Sequence, residues 1–450
     1  MVKWMSEDVL ECDKSIERKQ SAPMQRRISL IQITSGETIQ NLLPHLSLRP
    51  QMVQNIVTPR VSARAALAEA AARAAGEECE WRLISATAMP TIGETCDLVL
   101  SAIADGKAKG LQPVVNITGG TKLMSLGAWE AARQAGIPTV YTDTETESFL
   151  DGGTASGLND LFDGDLSFDP VKRQMDVKIL LAAHGIALRS GGLDPTRYLA
   201  FANYLHADTN NPNRPGEEQA VRDAIHGERS GICRNGGEPK SADGWLRLLD
   251  TPIQMPDAPA RLAIEAGLLR DTRGRLFLPE AGRDSFQRLA AVGQPPRGEH
   301  AQQFYKQLFA AVRPLQFAMA MLTGGWVEIV AYHAAKQSGR FRDLRWSIET
   351  GGDGPMGWAE DDIVGVDGVR LAYFSCKRGG SKGKMGRALE ELESSARRLG
   401  GGFSRKFMCI GLPPTRQQFD VLRARGKELG TRLVVGRDLH LPQSYVPSNQ

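Results

Sequence analysis

The chain has 450 residues, 41% hydrophobic and 24% charged, with a formal net charge of +3. That length supports two or three domains with their own cores, and so small a net charge neither demands nor excludes a nucleic-acid partner. Six cysteines without a CxxC pair disfavour a zinc ribbon and suit reduced thiols. No apolar run approaches the roughly 20 residues of a membrane span. Glu7, Asp8, Glu11 and Asp13 break any signal-type core, so a cytoplasmic protein is expected.

Residues 1–27 are polar and mixed in charge and read as an N-terminal tail. An apolar strand at 28–33 leads into Thr34-Ser35-Gly36-Glu37 and a helix to residue 46. Strands at 52–57, 81–85, 114–117 and 139–142 then alternate with helices at 63–76, 94–108 and 122–136. This spacing predicts an α/β domain with a doubly wound parallel sheet, spanning 28–165. The segment 166–298 changes character. Helices are expected at 177–188 and 259–269, a two-stranded wing near 268–278, and a mobile polar insertion at 207–243. It reads as a small α+β winged-helix-like connector. The last domain, 299–450, runs helix, strand, hairpin partner, helix 387–399, strand 406–410, helix 416–429, strand 432–435.

Two constellations carry chemistry. In the first, Asn116-Ile117-Thr118-Gly119-Gly120-Thr121-Lys122 joins a strand to a helix. Paired glycines permit close backbone approach, and the free N–H groups of a helix start are anion donors. Thr118 and Thr121 add hydroxyls, and Lys122 adds a charge. Thr34, Ser35 and Gly36 should emerge at the same sheet edge, where ligands of open α/β sheets bind. Neither GxxxxGK[ST] nor GxGxxG spacing occurs, which disfavours ATP hydrolysis. The bland alternative is a threonine-capped turn with a solvated lysine.

In the second, Glu328 falls in the first turn of a helix after Gly324-Gly325-Trp326, Asp362 heads one strand of a hairpin turning at Asp367-Gly368, and Lys377 ends the other. Two hard oxygen ligands beside a cation suit Mg²⁺ or Mn²⁺ and phosphodiester hydrolysis. Ser375 departs from the pattern, since Glu is usual two places before such a lysine. Three outcomes stand open. Ser375 holds a metal-bound water while Asp362 and the Cys376 carbonyl ligate; Glu360 or Asp361 supplies the missing carboxylate from the neighbouring turn; or the protein binds without cutting. Downstream, Arg378, Lys382, Lys384 and Arg387 form a basic, glycine-rich loop suited to a phosphate backbone. The seven histidines show no metal-binding spacing, and Trp326 reads as core.

NITGGTKLMSLGA, followed by AGIPTVYTDT, resembles the CARF sensor domain of CRISPR-associated ring nucleases and effectors. GGWVE, EDDIV and FSCKRG, in that order, resemble the PD-(D/E)xK-like nuclease domain of CARF-linked type III CRISPR effectors. The resemblance implies a Rossmann-like sensor domain and a restriction-endonuclease-like C-terminal domain. It also implies a cyclic oligoadenylate activator, most simply cyclic tetra-adenylate, seated across the two-fold axis of a homodimer. The phosphates would lie at residues 118–122 and the bases near Ser35 and Gly36. The implied output is metal-dependent cleavage of RNA or DNA in antiviral defence. Two alternatives are a ligand-responsive transcriptional regulator using the wing, and a ring nuclease degrading its own activator.

Overall fold

Five of the six N-terminal strands alternate with helices, and the two central ones are apolar enough to be buried on both faces. They are β1 (Ile28–Ile33), β2 (Met52–Val57), β3 (Glu80–Ser85), β4 (Gln112–Asn116), β5 (Thr139–Asp143) and β6 (Ser148–Asp151). The sheet order is β3-β2-β1-β4-β5-β6, parallel except for β6, which sequence reading had not separated from the following loop. Because β1 and β4 are neighbours, with Gln32 opposite Asn116, the winding reverses between them. The doubly wound expectation holds, and the crevice outside the ends of β1 and β4 is the switch point where such sheets take ligands.

The computed structural model describes residues 26–189, 192, 194–211, 216–232, 239, 241–292, 299–351 and 358–446. Most of the expected tail, residues 1–25, lies outside these. The expected helix at 177–188 is shorter, Val177–Ala183, and its remainder becomes β7 (Ala187–Leu188). The polar stretch expected to be a mobile loop instead carries the helix Glu217–Ile232. The wing is present as β8 (Arg270–Thr272) paired with β9 (Arg275–Phe277).

The C-terminal sheet adds β10 (Arg342–Gly351), β11 (Trp358–Asp367), β12 (Arg370–Lys377), β13 (Arg405–Ile410) and β14 (Thr431–Val435). Its order is β14-β13-β12-β11-β10-β7, so β7 from the connector completes the edge. One face packs Phe374 and Phe407 against the helix Trp326–Gln337. The other packs Val364, Tyr373 and Met408 against the helix Lys382–Gly400. That second core is continuous with Leu30 and Val53 of the first sheet through Val177–Ala183, so the N-terminal and C-terminal sheets share one apolar body. One helical run among the described residues, His300–Gln337, has the length and apolarity of a membrane span, with 61% of its window buried. It is the central core helix of the C-terminal half, interrupted by a π turn at Met321–Gly325.

Candidate active site and ligand cradle

Trp326 is fully buried and anchors the helix start, which places Glu328 in the first turn as expected. Glu328 faces β10, where Trp346 Nε1 donates to its Oε2 at 2.9 Å. The β11–β12 ladder runs from Asp367–Arg370 to Ile363–Phe374. Beyond it the Asp362 side chain takes over, its Oδ2 accepting the Cys376 N–H at 2.7 Å and lying 3.8 Å from Lys377 Nζ. A carboxylate thus occupies the space between the two strands. Glu328, Asp362 and Glu360 line one cleft of about 350 Å³ with Arg313, Trp346 and Ser347.

The acidic residues 360–362 lie within β11, not in a turn. Asp361 therefore points to the other face, where Thr350 and Tyr373 donate to it and Arg398 lies 3.8 Å away. It cannot supply the missing carboxylate. Glu360 remains on the cleft side, with Ser347 Oγ donating to its Oε1 at 2.5 Å. Ser347 has a φ of +52°, a local twist of β10 in the left-handed region. Ser375 is buried and pairs with Met408 of β13.

Burial, and then the charge of Asp362, push the Glu328 carboxyl up to about 8. Burial likewise raises Asp362, against the pull of Lys377. Two desolvated carboxylates, with the charge of Asp362 raising Glu328 and that of Glu360 raising both, have the electrostatics of a cation site. Among the described residues no three His, Cys, Asp or Glu side chains converge closely enough to hold a metal alone. The donor set therefore fits a hard divalent ion that takes two carboxylates and keeps most of its ligands as water.

The basic segment differs from expectation. Helix begins at Lys382, so the glycine-rich loop is confined to 378–381. Lys384 and Arg387 are exposed on the first turns of that helix. Arg378 points inward, forked onto Glu218 with Nε–Oε1 at 2.5 Å and Nη2–Oε2 at 2.6 Å, and so is not free for substrate.

In the N-terminal domain the turn after β4 lies beside the loop after β1. Its polar side chains are mostly engaged internally. Asn116 Oδ1 accepts Thr118 N–H and Oγ1, Thr118 Oγ1 accepts Thr142 N–H, and Thr121 caps the helix Lys122–Ala135. Thr34 is buried, while Ser35 Oγ bonds Glu37 and Gln40. The glycines serve packing: a Cβ on Gly119 would sit 1.9 Å from Ile33 O, and Gly120 has a φ of +79°. Gly36, Gly120, Thr121 and Lys122 are left exposed at the crevice. Of the expected ligand residues, the backbone and Lys122 are presented outward, and Asn116 and Thr118 shape the loop.

Trp346, Arg313 and Glu218 were missed from sequence. The alternation of Leu344, Trp346 and Ile348 is a strand signal that would have located the first.

The architecture is a Rossmann-like domain with a switch-point cradle, joined to a carboxylate–lysine hairpin on a mixed sheet. Residues 316–441 match the model of the Card1-like endonuclease domain. The fold is similar to Can2 from Sulfobacillus thermosulfidooxidans, solved in complex with cyclic tetra-adenylate. That match has 17% identity and a TM-score of 0.61 over 93% of this chain and 97% of that one. Protein VC1899 from Vibrio cholerae is comparably similar, at 15% identity and a TM-score of 0.60 over 92% and 95% of the two chains. No curated protein matches at the sequence level. The chain therefore shares its overall fold with these structures, and its C-terminal region, residues 316–441, matches a Card1-like endonuclease domain.

Proposed function

We propose that this protein is a metal-dependent endonuclease switched on by a cyclic oligoadenylate, with cyclic tetra-adenylate the leading activator, in type III CRISPR antiviral defence. The observation that carries it is the convergence of Glu328, Glu360 and Asp362 on one cleft of a domain matching the Card1-like endonuclease model, with Lys377 Nζ 3.8 Å from Asp362. The Can2 complex with cyclic tetra-adenylate supports the activator class.

In this reading Glu328, Asp362 and the Cys376 carbonyl would hold Mn²⁺ or Mg²⁺, with Glu360 beside them. Bound there, the ion would supply Lewis-acid polarisation of the scissile phosphate and a water of lowered pKa. Lys377, held 3.8 Å from Asp362, orients the attacking water or meets charge developing on the phosphate. Trp346 fixes the Glu328 rotamer through its N–H, and Ser375 offers a hydroxyl for a water instead of a carboxylate. Lys384 and Arg387, on the first turns of a helix whose N-terminal dipole is positive, receive the RNA or DNA backbone. Activator phosphates dock on residues 120–122, with each subunit of a homodimer supplying half the ring.

The test incubates wild type, Asp362→Ala and Ser375→Glu with labelled RNA, single-stranded DNA and duplex DNA, with Mn²⁺ or Mg²⁺, and with or without cyclic tetra-adenylate. Activator-dependent cleavage by wild type and at least about 10²-fold less by Asp362→Ala are expected. Equal cleavage without activator would remove the switch. Cleavage retained by Asp362→Ala would move the active site elsewhere.

A further inference from the structure

Arg378 follows Lys377 directly, yet its side chain is only 18% exposed and its partner Glu218 only 3%. The fork between them is bidentate, the geometry in which guanidinium and carboxylate fix one another's position most strongly. Glu218 Oε1 also receives Trp326 Nε1 at 3.4 Å. Trp326 opens the helix that bears Glu328, two residues on. Arg378 packs on the turn before it, since a Cβ on Gly324 would lie 3.3 Å from Arg378 Cβ. Glu218 is held in turn by its own N–H, which donates to Asp208 Oδ2 at 2.8 Å. One buried carboxylate from the connector thus reaches both elements that carry the candidate active site: the end of β12 with Lys377 and the helix start with Glu328.

We infer that Glu218 is a positioning residue for cleavage, holding Lys377 and Glu328 in mutual register through Arg378 and Trp326. The connector helix Glu217–Ile232 is then part of the frame of the nuclease site. Physical economy supports this. A buried ion pair adds little net stability over an apolar pair of the same volume, while its directional bonds specify geometry. The inference rests on the nuclease reading and deepens it.

The test compares wild type with Glu218→Gln, Arg378→Lys, Arg378→Gln and the Glu218→Gln/Arg378→Gln double variant. Each is first checked for folding by thermal melting. Steady-state cleavage and amide hydrogen exchange at residues 324–328 and 376–380 follow. Because small misplacements of reacting groups are costly, Glu218→Gln and Arg378→Gln should each lower kcat on the order of 10²-fold with KM little changed. The double variant should lose no more than either single one, and Arg378→Lys should recover part of the loss. Exchange should quicken at both segments. Folded Glu218→Gln and Arg378→Gln with undiminished kcat would overturn the inference. So would a KM defect in Arg378→Gln alone, which would return Arg378 to the substrate phosphates. If wild type cut no substrate with any metal, the nuclease reading would fail, and the exchange comparison would decide the tie by itself.

Discussion

Glu328 shows most directly how burial turns a common side chain into a reagent. Its carboxyl is raised to about 8, by desolvation first and by Asp362 second, so at neutral pH the metal-free protein keeps it protonated. An unfolded glutamate titrates near 4.5. Between those values the native state binds more protons than the unfolded one, so the metal-free protein loses stability as pH rises from about 4.5 to about 8. Glu328→Gln should flatten that slope in thermal melts between pH 5 and pH 8.5. Metal must displace the same proton. Mn²⁺ affinity should therefore climb roughly tenfold per pH unit up to about 8, with about one proton released on binding. Calorimetry in two buffers of different ionisation enthalpy measures both quantities. Affinity independent of pH, with no proton release, would mean that Glu328 is not a ligand.

At the scale of elements, what was legible in the sequence was local. Strand and helix alternation, the NITGGTK turn and the hairpin from Asp362 to Lys377 all lie within a few turns of chain, where periodicity and turn chemistry act. The partners that complete the site come from farther away: Trp346 lies 18 positions from Glu328, and Glu218 lies 160 from Arg378. A lysine-arginine run reads as solvated because nothing nearby announces a buried acid. Sequence also assigned Gly119 to ligand contact, whereas a Cβ there would lie only 1.9 Å from Ile33 O, so the glycine makes room for the end of β1. Both roles act through the same loop, and they separate by experiment. Gly119→Ala must push the cradle off the end of β1, which is overpacking of about 1–3 kcal/mol. The variant should melt earlier and bind cyclic tetra-adenylate much more weakly, while its Mn²⁺ affinity at the C-terminal site is unchanged. Unaltered activator binding, read by calorimetry, would show that the cradle does not depend on this packing.

The whole molecule has one feature that a single chain leaves unused. Leu123 and Leu126, on the helix that starts at the cradle, are 50% and 53% exposed, and Met89 and Ile92 are 89% and 41% exposed. Ile92, at the start of the helix Ile92–Ala108, lies against the helix that carries Leu123 and Leu126, where a Cβ on Gly127 would lie 2.5 Å from Ile92 O. Apolar side chains so placed beside a ligand site need a partner surface, and a second copy presenting the same patch is the simplest one. A ring-shaped, two-fold symmetric activator would then lie where the two cradles meet, so dimer formation and activator binding are thermodynamically linked. Leu123→Glu/Leu126→Glu places like charges across that axis. Sedimentation should find wild type near twice its 49.0 kDa chain mass and the variant near that mass alone. The variant should also bind cyclic tetra-adenylate poorly, with its melting temperature close to wild type because the residues are exposed. A variant that stays dimeric with full activator affinity would put the two-fold axis on another face.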